Sequence, residues 1–292
     1  MFRSVRILVT DSCNLNCNYC HNEGILKGHS ILGYEFFESF VEQISTIATV
    51  EKIILSGGEP LLHPRILEMI KLLVSKTDFQ IALVTNGTLL SKDILDVIEE
   101  TGIKVIVSLP SLDPSRYLDI TGGQNTSVLK YLREIGQRNI EFSLNAVFQS
   151  EYEKDLLEII DYCQELSIDL KILPYYDIHK KNQIEISSQI AERMKLRLKR
   201  YNDNGKGSTI YYYENFLIRL VKLPCTSSDQ STCMNYGEVR LTPDLRLTPC
   251  IINSSSSLSI KQILSDKSKT PIREIFERMN LLNCQNGECN IN

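Results

Sequence analysis

The sequence lacks several features that mark large classes of protein. None of its apolar runs approaches the length of a membrane span. It has no basic excess, because 32 Lys and Arg residues face 36 Asp and Glu residues and leave a net charge of −4. Nucleic acids and anionic membranes attract basic surfaces, so neither partner is expected. No signal peptide is visible, since Met1–Ser4 runs straight into a strand-like segment.

Nine cysteines without a secretion signal predict reduced thiols that serve as ligands in the cytoplasm. Cys163 is the exception, because it lies in an apolar helical pattern and is expected in the core. The remaining composition is ordinary for a globular protein, with 42% hydrophobic and 23% charged residues. A length of 292 residues allows one large domain, or a large domain with a small appendage.

Three cysteines stand close together at the end of the first apolar run: Cys13, Cys17 and Cys20. Thiolates at this spacing suit an iron–sulfur cluster or zinc better than a disulfide. A zinc knuckle would use two close cysteines and a distant pair, and a ferredoxin would supply its fourth cysteine nearby. Three ligands are one short of a closed site, and an open metal position is where a metal does chemistry.

Residues 1 to about 175 alternate short β-rich runs with helical patterns, which predicts an α/β fold with a parallel sheet and right-handed crossovers. Six units are too few for a closed eightfold barrel, so an open arc is expected. The strand candidates are 5–9, 52–56, 79–84, 103–108, 140–147 and 168–173, and the helix candidates are 34–48, 64–76, 91–100, 126–137 and 152–166, with Ser91 as an N-cap and Gly102 as a C-terminal cap. Residues 187–203 read as a basic amphipathic helix that covers the barrel.

Polar loops follow the strands at the end of the sheet where chemistry is expected. The cysteines follow strand one, and Ser56–Pro60, which reads Ser-Gly-Gly-Glu-Pro, follows strand two. Its two glycines permit close backbone approach, and Glu59 offers a carboxylate to an ammonium group. The turn Thr85–Thr88 follows strand three. The sequence leaves two equally weighted alternatives for Asn145 on strand five. Its side chain faces the barrel interior, or it is a core amide whose hydrogen bonds are satisfied within the protein.

The Cys-x3-Cys-x2-Cys spacing with Tyr19 before its last cysteine resembles the signature of radical S-adenosylmethionine (SAM) enzymes. The resemblance implies a partial (β/α)6 barrel and a catalytic [4Fe–4S] cluster on Cys13, Cys17 and Cys20, whose open iron binds SAM. It also implies reductive cleavage of SAM to a 5′-deoxyadenosyl radical that abstracts hydrogen from a substrate carbon. The SAM-binding residues that it implies are Tyr19, Gly57, Gly58, Glu59, Ser108 and Asn145.

Within that superfamily, the first 175 residues or so are similar to the GTP 3′,8-cyclases of molybdenum-cofactor synthesis. The similar segments are 5–11, 21–24, 56–64, 107–114, 120–122 and 144–147. By this likeness the substrate contacts are Arg6, Lys171 and Arg240.

The chain departs from the cyclases where they need basic residues for a polyanionic nucleotide. Ser143 stands in place of a lysine, and Glu238 stands in place of a basic residue. Losing cationic partners of a triphosphate removes charge-assisted contacts, which argues against GTP as the substrate. Glu238 is expected to be a surface charge on a hairpin.

Five further cysteines in the C-terminal part predict a second metal site: Cys225, Cys233, Cys250, Cys284 and Cys289. Glu238–Thr242 and Leu245–Thr248 predict a hairpin, and Cys284 and Cys289 follow a predicted helix near 271–281. In a layout resembling SPASM/twitch domains, Cys233, Cys250, Cys284 and Cys289 hold an auxiliary [4Fe–4S] cluster and Cys225 is spare. In a cyclase-like layout, Cys225, Cys233 and Cys250 hold a cluster with one open iron. The first layout is favoured, because the cyclases space their ligands more tightly.

These observations predict a radical SAM barrel with a cover helix over residues 1–222 and an auxiliary cluster domain over residues 223–292. The expected reaction forms or rearranges a bond in a small molecule or peptide, with an electron donor such as flavodoxin or ferredoxin. The alternatives are a ribosomal-peptide maturase, a GTP 3′,8-cyclase-like nucleotide cyclase, and a non-catalytic iron–sulfur electron carrier.

Overall fold

Six parallel β-strands alternate with helices in the first part of the chain. The computed structural model describes residues 2–25, 27–177, 182–183, 188–195, 198–203, 208–221, 237–249, 257–265 and 272–285. The strands are β1 (Ser4–Leu8), β2 (Lys52–Ser56), β3 (Gln80–Thr85), β4 (Lys104–Ser108), β5 (Phe142–Phe148) and β6 (Asp169–Pro174). The helices are α1 (Tyr34–Ile44), α2 (Ile66–Lys76), α3 (Lys92–Thr101), α4 (Pro114–Thr121), α5 (Thr126–Ile135) and α6 (Glu153–Leu166).

The rest of the described chain extends this sheet at both edges. Its elements are β7 (Tyr176–Asp177), β8 (Asn182–Gln183), α7 (Ser188–Lys195), β9 (Arg200–Asp203), β10 (Ser208–Tyr212), β11 (Leu217–Val221), β12 (Glu238–Leu241), β13 (Arg246–Thr248), β14 (Leu258–Ser259), α8 (Lys261–Ser265) and α9 (Ile272–Gln285). The described sheet has the order β14-β13-β12-β1-β2-β3-β4-β5-β6-β11-β10-β9. Strand β12 runs parallel to β1, and β11 runs parallel to β6. The predicted α/β arc of six parallel strands is therefore confirmed.

Side chains on the central strands alternate between two different environments. On β4, β5 and β6, residues such as Val107, Leu144 and Leu170 are buried against the helices. Their neighbours Ser108 and Lys171 are only half buried, because they point to the opposite, concave face of the arc. Successive residues of a strand face opposite sides of the sheet, so one face builds the core and the other lines the barrel interior.

Local capping signals set the ends of helix α3 as the sequence predicts. The Ser91 hydroxyl accepts a hydrogen bond from the Ile94 amide at 3.3 Å. Gly102 ends the helix with a φ of 67°, in the left-handed region that glycine tolerates. Helix α4 was not predicted, although Asp113 caps it by accepting a 2.8 Å hydrogen bond from the Arg116 amide, and Pro114 opens it.

The segment 187–203 differs from the sequence prediction of one amphipathic helix. Helix α7 covers Ser188–Lys195, and residues 200–203 form strand β9 instead. Asn202 of β9 pairs with Ile210 in an antiparallel ladder with β10. Hydrogen bonding to a partner strand outweighs a short helical pattern here, because strand formation depends on tertiary context.

The C-terminal part confirms the predicted hairpin and corrects one helix boundary. Strands β12 and β13 pair antiparallel around the turn at Pro243 and Asp244. Helix α9 extends to Gln285, so Cys284 lies within the helix rather than after it. Cys225, Cys233, Cys250 and Cys289 lie outside the described residues, and the division at 222/223 stays a prediction.

The apolar core connects the two parts of the described chain. The rings of Phe2 and Phe276 lie 5.9 Å apart, which packs α9 against the beginning of β1. The Ile272 amide also donates to Gln43 Oε1 at 3.3 Å. Among the described residues, none of the helices combines the length and apolar character that crossing a membrane requires.

Candidate active site

The loop that carries Cys13, Cys17 and Cys20, here called the cysteine loop (residues 11–24), leaves the carboxyl end of β1. Its backbone is tied to the end of helix α4, since the amides of Asn16 and Asn18 donate to the carbonyls of Thr121 and Ile120 at 2.9 Å each. These bonds satisfy the loop backbone and hold it across the top of the sheet.

The three cysteines of the loop are free thiols, with Cys13 and Cys17 half buried and Cys20 exposed. The Leu15 amide donates to Cys13 Sγ at 3.4 Å, and the Asn22 amide donates to Cys20 Sγ at 3.3 Å. Burial raises the pKa of Cys17 to about 11, and the charge of Cys20 adds to this while Tyr19 opposes it. The Cys17 thiol is therefore protonated without metal, and a metal group must displace its proton to bind.

Backbone amides aimed at sulfur suit thiolates that ligate a cluster, because such hydrogen bonds stabilise negative charge on the sulfur. Within the described residues, no three His, Cys, Asp or Glu side chains converge on a position that would hold a single metal ion. A cluster distributes its ligand sulfurs over different iron atoms, so it does not require that convergence. The donor set of three soft thiols fits a cluster.

The Gly57-Gly58-Glu59 turn packs directly against the cysteine loop. The Gly58 amide donates to the Thr10 carbonyl and the Glu59 amide donates to the Ser12 carbonyl, each at 2.8 Å. A Cβ at Gly57 would lie 2.3 Å from the Thr10 oxygen, and one at Gly58 would lie 2.1 Å from the Ser12 oxygen. Both glycines are required because two backbones meet here without room for a side chain.

Glu59 is fully buried, and its carboxylate is directed into the protein. It accepts hydrogen bonds from the Leu61 amide at 3.0 Å, the Thr85 hydroxyl at 2.7 Å and the Asn86 amide at 2.7 Å. Burial raises the pKa of Glu59 to about 7, although these three donors oppose the rise. The side chain thus joins the turn after β2 to the turn after β3.

The turn after β3 returns to the cysteine loop through an amide network that the sequence did not reveal. Asn86 donates to Asn14 Oδ1 at 2.9 Å and lies 3.9 Å from Cys13 Sγ. Asn14 in turn donates to the Thr88 hydroxyl at 2.8 Å. Three successive βα loops are therefore one connected unit around Cys13. The polar turn itself was visible in the sequence, but its partner could be found only once strands β1 and β3 were placed.

Polar side chains form a row across the concave face below these loops. Ser108 on β4 pairs in register with Asn145 on β5, and Asn145 pairs with Lys171 on β6. Within the part of the chain that the structure describes, the buried Oδ1 atom of Asn145 has no hydrogen-bond partner. Asn145 thus faces the barrel interior, and the satisfied core amide is the wrong alternative. Burial, with repulsion from Arg6, lowers the pKa of Lys171 to about 8.

Four charged side chains form a closed network in the interior, here called the arginine–glutamate cluster (Arg6, Glu23, Glu238 and Arg240). Glu238 accepts from Arg6 Nε at 3.1 Å and from an Arg240 terminal nitrogen at 2.8 Å. Glu23 lies 3.4 Å from an Arg6 nitrogen and accepts from Arg240 Nε at 3.1 Å. Burial favours the neutral form of Glu23, yet Arg6 and Arg240 outweigh it and lower the pKa to about 2.

Glu238 is 7% exposed, so its prediction as a surface hairpin charge was wrong. The register of β12 against β1 turns Glu238 and Arg240 to the same face as Arg6. Glu23 was missed altogether, because it stands 217 positions from Arg240 and no local pattern links them.

The structure thus gathers most predicted site residues at one end and one face of the barrel. The cysteines, Tyr19 and the Gly57–Glu59 turn lie at the carboxyl ends of the strands, as expected for this architecture. Ser108, Asn145, Lys171, Arg6 and Arg240 belong to the concave face beneath them.

Comparison with known proteins agrees with this arrangement. The family model described as the radical SAM superfamily matches residues 7–163. The probable GTP 3′,8-cyclase of Methanococcus aeolicus is 31% identical over 274 residues, which cover 88% of this chain and 88% of that protein. The probable GTP 3′,8-cyclase of Methanocaldococcus jannaschii is 29% identical over 268 residues, with the same coverage of both chains.

Solved structures share the fold at low sequence identity. Streptococcus suis SuiB bound to S-adenosylmethionine matches with a TM-score of 0.69 at 15% identity, covering 94% of this chain and 68% of that chain. The structure of anSMEcpe with bound AdoMet matches with a TM-score of 0.67 at 17% identity, covering 96% of this chain and 81% of that chain.

Proposed function

The chain belongs to the radical SAM superfamily, and we propose that Cys13, Cys17 and Cys20 are the ligands of the [4Fe–4S] cluster that this membership implies. It is a radical SAM enzyme. When bound, the cluster and SAM supply a 5′-deoxyadenosyl radical that abstracts hydrogen from a substrate carbon. The observation that carries the residue assignment is the connection of the three-thiol loop to the Gly57–Glu59 turn through Thr10 and Ser12.

In this proposal, the residues of the chain bind SAM and orient it. Gly57 and Gly58 bring the turn after β2 against the cysteine loop, so their backbone and Tyr19 line the space where SAM binds. Glu59 holds that turn to the turn after β3, which fixes both loops before any ligand arrives. Ser108 and Asn145 continue the binding surface into the barrel. Rigid placement of binding groups is how a protein directs a reactive species to one substrate atom.

A reconstitution experiment tests the cluster assignment. The protein is loaded anaerobically with iron and sulfide, reduced with dithionite and given SAM, and 5′-deoxyadenosine is measured. Cys17→Ala is expected to lose about four iron atoms per chain and to release no 5′-deoxyadenosine. Cys163→Ala is the matched control, because this thiol lies on the buried face of helix α6 and should change neither quantity. Full iron content in Cys17→Ala would overturn the assignment.

A second, auxiliary [4Fe–4S] cluster in the C-terminal part is proposed with Cys233, Cys250, Cys284 and Cys289 as ligands and Cys225 as a spare thiol. The number of cysteines there and the position of Cys284 near the end of α9 support it. Substituting Cys284 and Cys289 with alanine is expected to remove the auxiliary iron while the first cluster stays. Unchanged iron content in that double variant would favour the layout with Cys225, Cys233 and Cys250.

The proposed substrate is a small molecule bound on the concave face near Arg6, Lys171 and Arg240. A nucleotide cyclisation is the second candidate, since relatives at 31% and 29% identity are probable GTP 3′,8-cyclases. Deuterium transfer from labelled GTP into 5′-deoxyadenosine tests it directly. Flavodoxin or ferredoxin is the proposed electron donor.

A further inference from the structure

We propose that the barrel interior selects a substrate with a single negative charge, held by Lys171 and Asn145, and that Glu23 and Glu238 make it reject polyanions such as nucleoside triphosphates. This inference rests on the proposed function, because it names the substrate class of the same interior site. The side chains involved lie on the concave face, apart from Glu23, which belongs to the cysteine loop.

In the arginine–glutamate cluster, the two arginines that a polyanion would need are already paired with carboxylates. Each carboxylate contacts both guanidinium groups, through four contacts between 2.8 and 3.4 Å. All four side chains are at least four-fifths buried, with exposures of 12% for Arg6, 19% for Glu23, 8% for Glu238 and 7% for Arg240. Two positive and two negative charges therefore cancel inside the barrel.

Binding a triphosphate at these arginines would require that network to open. The two carboxylates would then be left buried beside a polyanion without their partners. Removing one member of a buried ion pair is strongly destabilising, and like charges placed together add to that cost. The carboxylates thus disfavour the binding of a ligand that carries a second or third negative charge. Repulsion of this kind is one way in which binding sites exclude a competing ligand.

Lys171 adds a positive charge to the concave face beside the neutral cluster, as Lys52 does at the beginning of β2. Within the part of the chain that the structure describes, Lys171 has no hydrogen bond or ion pair, although it lies near Arg6, Glu238, Arg219 and Glu23. Arg219 is its neighbour on β11 but is exposed to solvent, where its charge is screened. One half-buried ammonium group with these neighbours matches one carboxylate or one singly charged phosphate ester.

Asn145 adds a second recognition element beside Lys171. The two residues are partners in the β5–β6 ladder, and Asn145 Oδ1 is buried without a hydrogen-bond partner among the described residues. A buried acceptor without a partner costs free energy unless a ligand or water satisfies it. A substrate that carries one anionic group and a nearby hydroxyl or amine donor would satisfy both side chains.

The first test measures polyanion binding to the anaerobically reconstituted protein by isothermal titration calorimetry, with tripolyphosphate and GTP as probes. Wild-type protein is expected to bind both with a dissociation constant above about 1 mM. Glu238→Gln and Glu23→Gln are each expected to bind tripolyphosphate at least about tenfold more tightly, because each frees cationic charge. The matched control is Glu141→Gln, which removes an exposed carboxylate that contacts Lys104 at 2.8 Å near the opposite end of the strands.

Micromolar binding of either probe to the wild-type protein overturns the proposal, whether or not the variants fold. Wild-type affinity in both folded glutamine variants also overturns it, since the carboxylates would then not be what excludes polyanions. Circular dichroism and the unfolding midpoint establish that each variant is folded before the comparison.

The second test detects a monoanion by saturation-transfer NMR, with L-lactate as the probe because it carries one carboxylate and one hydroxyl. A signal is expected with the wild-type protein and a loss of at least half of it in Lys171→Met and in Asn145→Leu. No signal in the wild type, or an equal signal in Lys171→Met, overturns the anchoring role. Neither test uses SAM cleavage, so a protein that cleaves SAM and binds tripolyphosphate contradicts this inference and leaves the proposed function intact.

Discussion

At the scale of single residues, buried ionisable groups distinguish this site from an ordinary loop cluster. Glu59 is fully enclosed and joins two loops, whereas Glu23 is held ionised by two arginines. Lys171 lies on the concave face with a lowered pKa. In all three groups the pKa is shifted by burial or by neighbouring charge, so the charge of each depends strongly on its immediate partners.

Glu59→Gln is expected to lower the free energy of unfolding by about 1–3 kcal/mol, because an amide nitrogen would face one of the backbone amides that now donate to the carboxylate. The measurement is the urea midpoint at constant m value. Glu68→Gln on α2 is the control, since its exposed carboxylate pairs only with exposed Arg65 among its described contacts and should change stability by less than about 0.5 kcal/mol. An unchanged urea midpoint for Glu59→Gln would contradict the role of Glu59 in holding the two turns together.

The lactate signal is expected to fall as pH rises through about 8, because Lys171 then loses its proton. The lowered pKa means that the ammonium is charged below about 8, and the binding of an anion is strongest there. The neighbouring carboxyls of Glu23 and Glu238 have lowered pKa values and stay ionised throughout that range. A signal that is constant from pH 6 to pH 10 would show that another group holds the anion.

At the scale of elements, the site is built by loops that fix one another through their backbones. The turn after β2 donates two amides to the segment before Cys13, and the cysteine loop donates two amides to the end of α4. Backbone contacts of this kind leave no room for a side chain at Gly57 and Gly58. The precision of a site on loops therefore depends on glycine as much as on the ligating residues.

Gly58→Ala is expected to abolish iron loading and to lower stability, because its Cβ would lie 2.1 Å from the Ser12 carbonyl oxygen. Iron content after anaerobic reconstitution and the urea midpoint are the two measurements. Gly136→Ala is the matched control, since its nearest contacts are 3.6 Å and its φ of −63° suits alanine. Equal iron content in the two variants would mean that the loops can separate without loss of the site.

At the scale of the whole molecule, the C-terminal part is joined to the barrel by a shared sheet and a shared core. Strand β12 pairs with β1 and brings Glu238 and Arg240 to Arg6. Helix α9 places Phe276 on Phe2 at the beginning of β1. The concave face, where the substrate is proposed to bind, thus includes residues from the N-terminal and the C-terminal parts of the described chain.

The unfolding of the wild-type protein is expected to be a single cooperative transition, and Phe276→Ala should lower its stability by about 3–5 kcal/mol without splitting it. Denaturant unfolding followed by fluorescence and by far-ultraviolet circular dichroism makes the measurement. Glu274→Ala, exposed on the same helix, is the control and should be close to neutral. Two separate transitions in the wild type would instead support independent domains.

The sequence by itself determined the six parallel strands, five of the helices between them, the cap at Ser91, the hairpin at Pro243, and the cysteine and glycine motifs. These features depend on residues near one another in the chain, and local periodicity and capping encode them directly. Strand β9 escaped prediction because its state depends on a partner strand, not on its own pattern.

Only the tertiary structure decided which charges meet inside the barrel. Strand register turned Glu238 inward beside Arg6, and the path of the cysteine loop brought Glu23 to Arg240 across 217 positions. It also left Asn145 and Lys171 side by side. Pairing between distant strands is set by the whole sheet, so no local pattern in the sequence specifies these contacts.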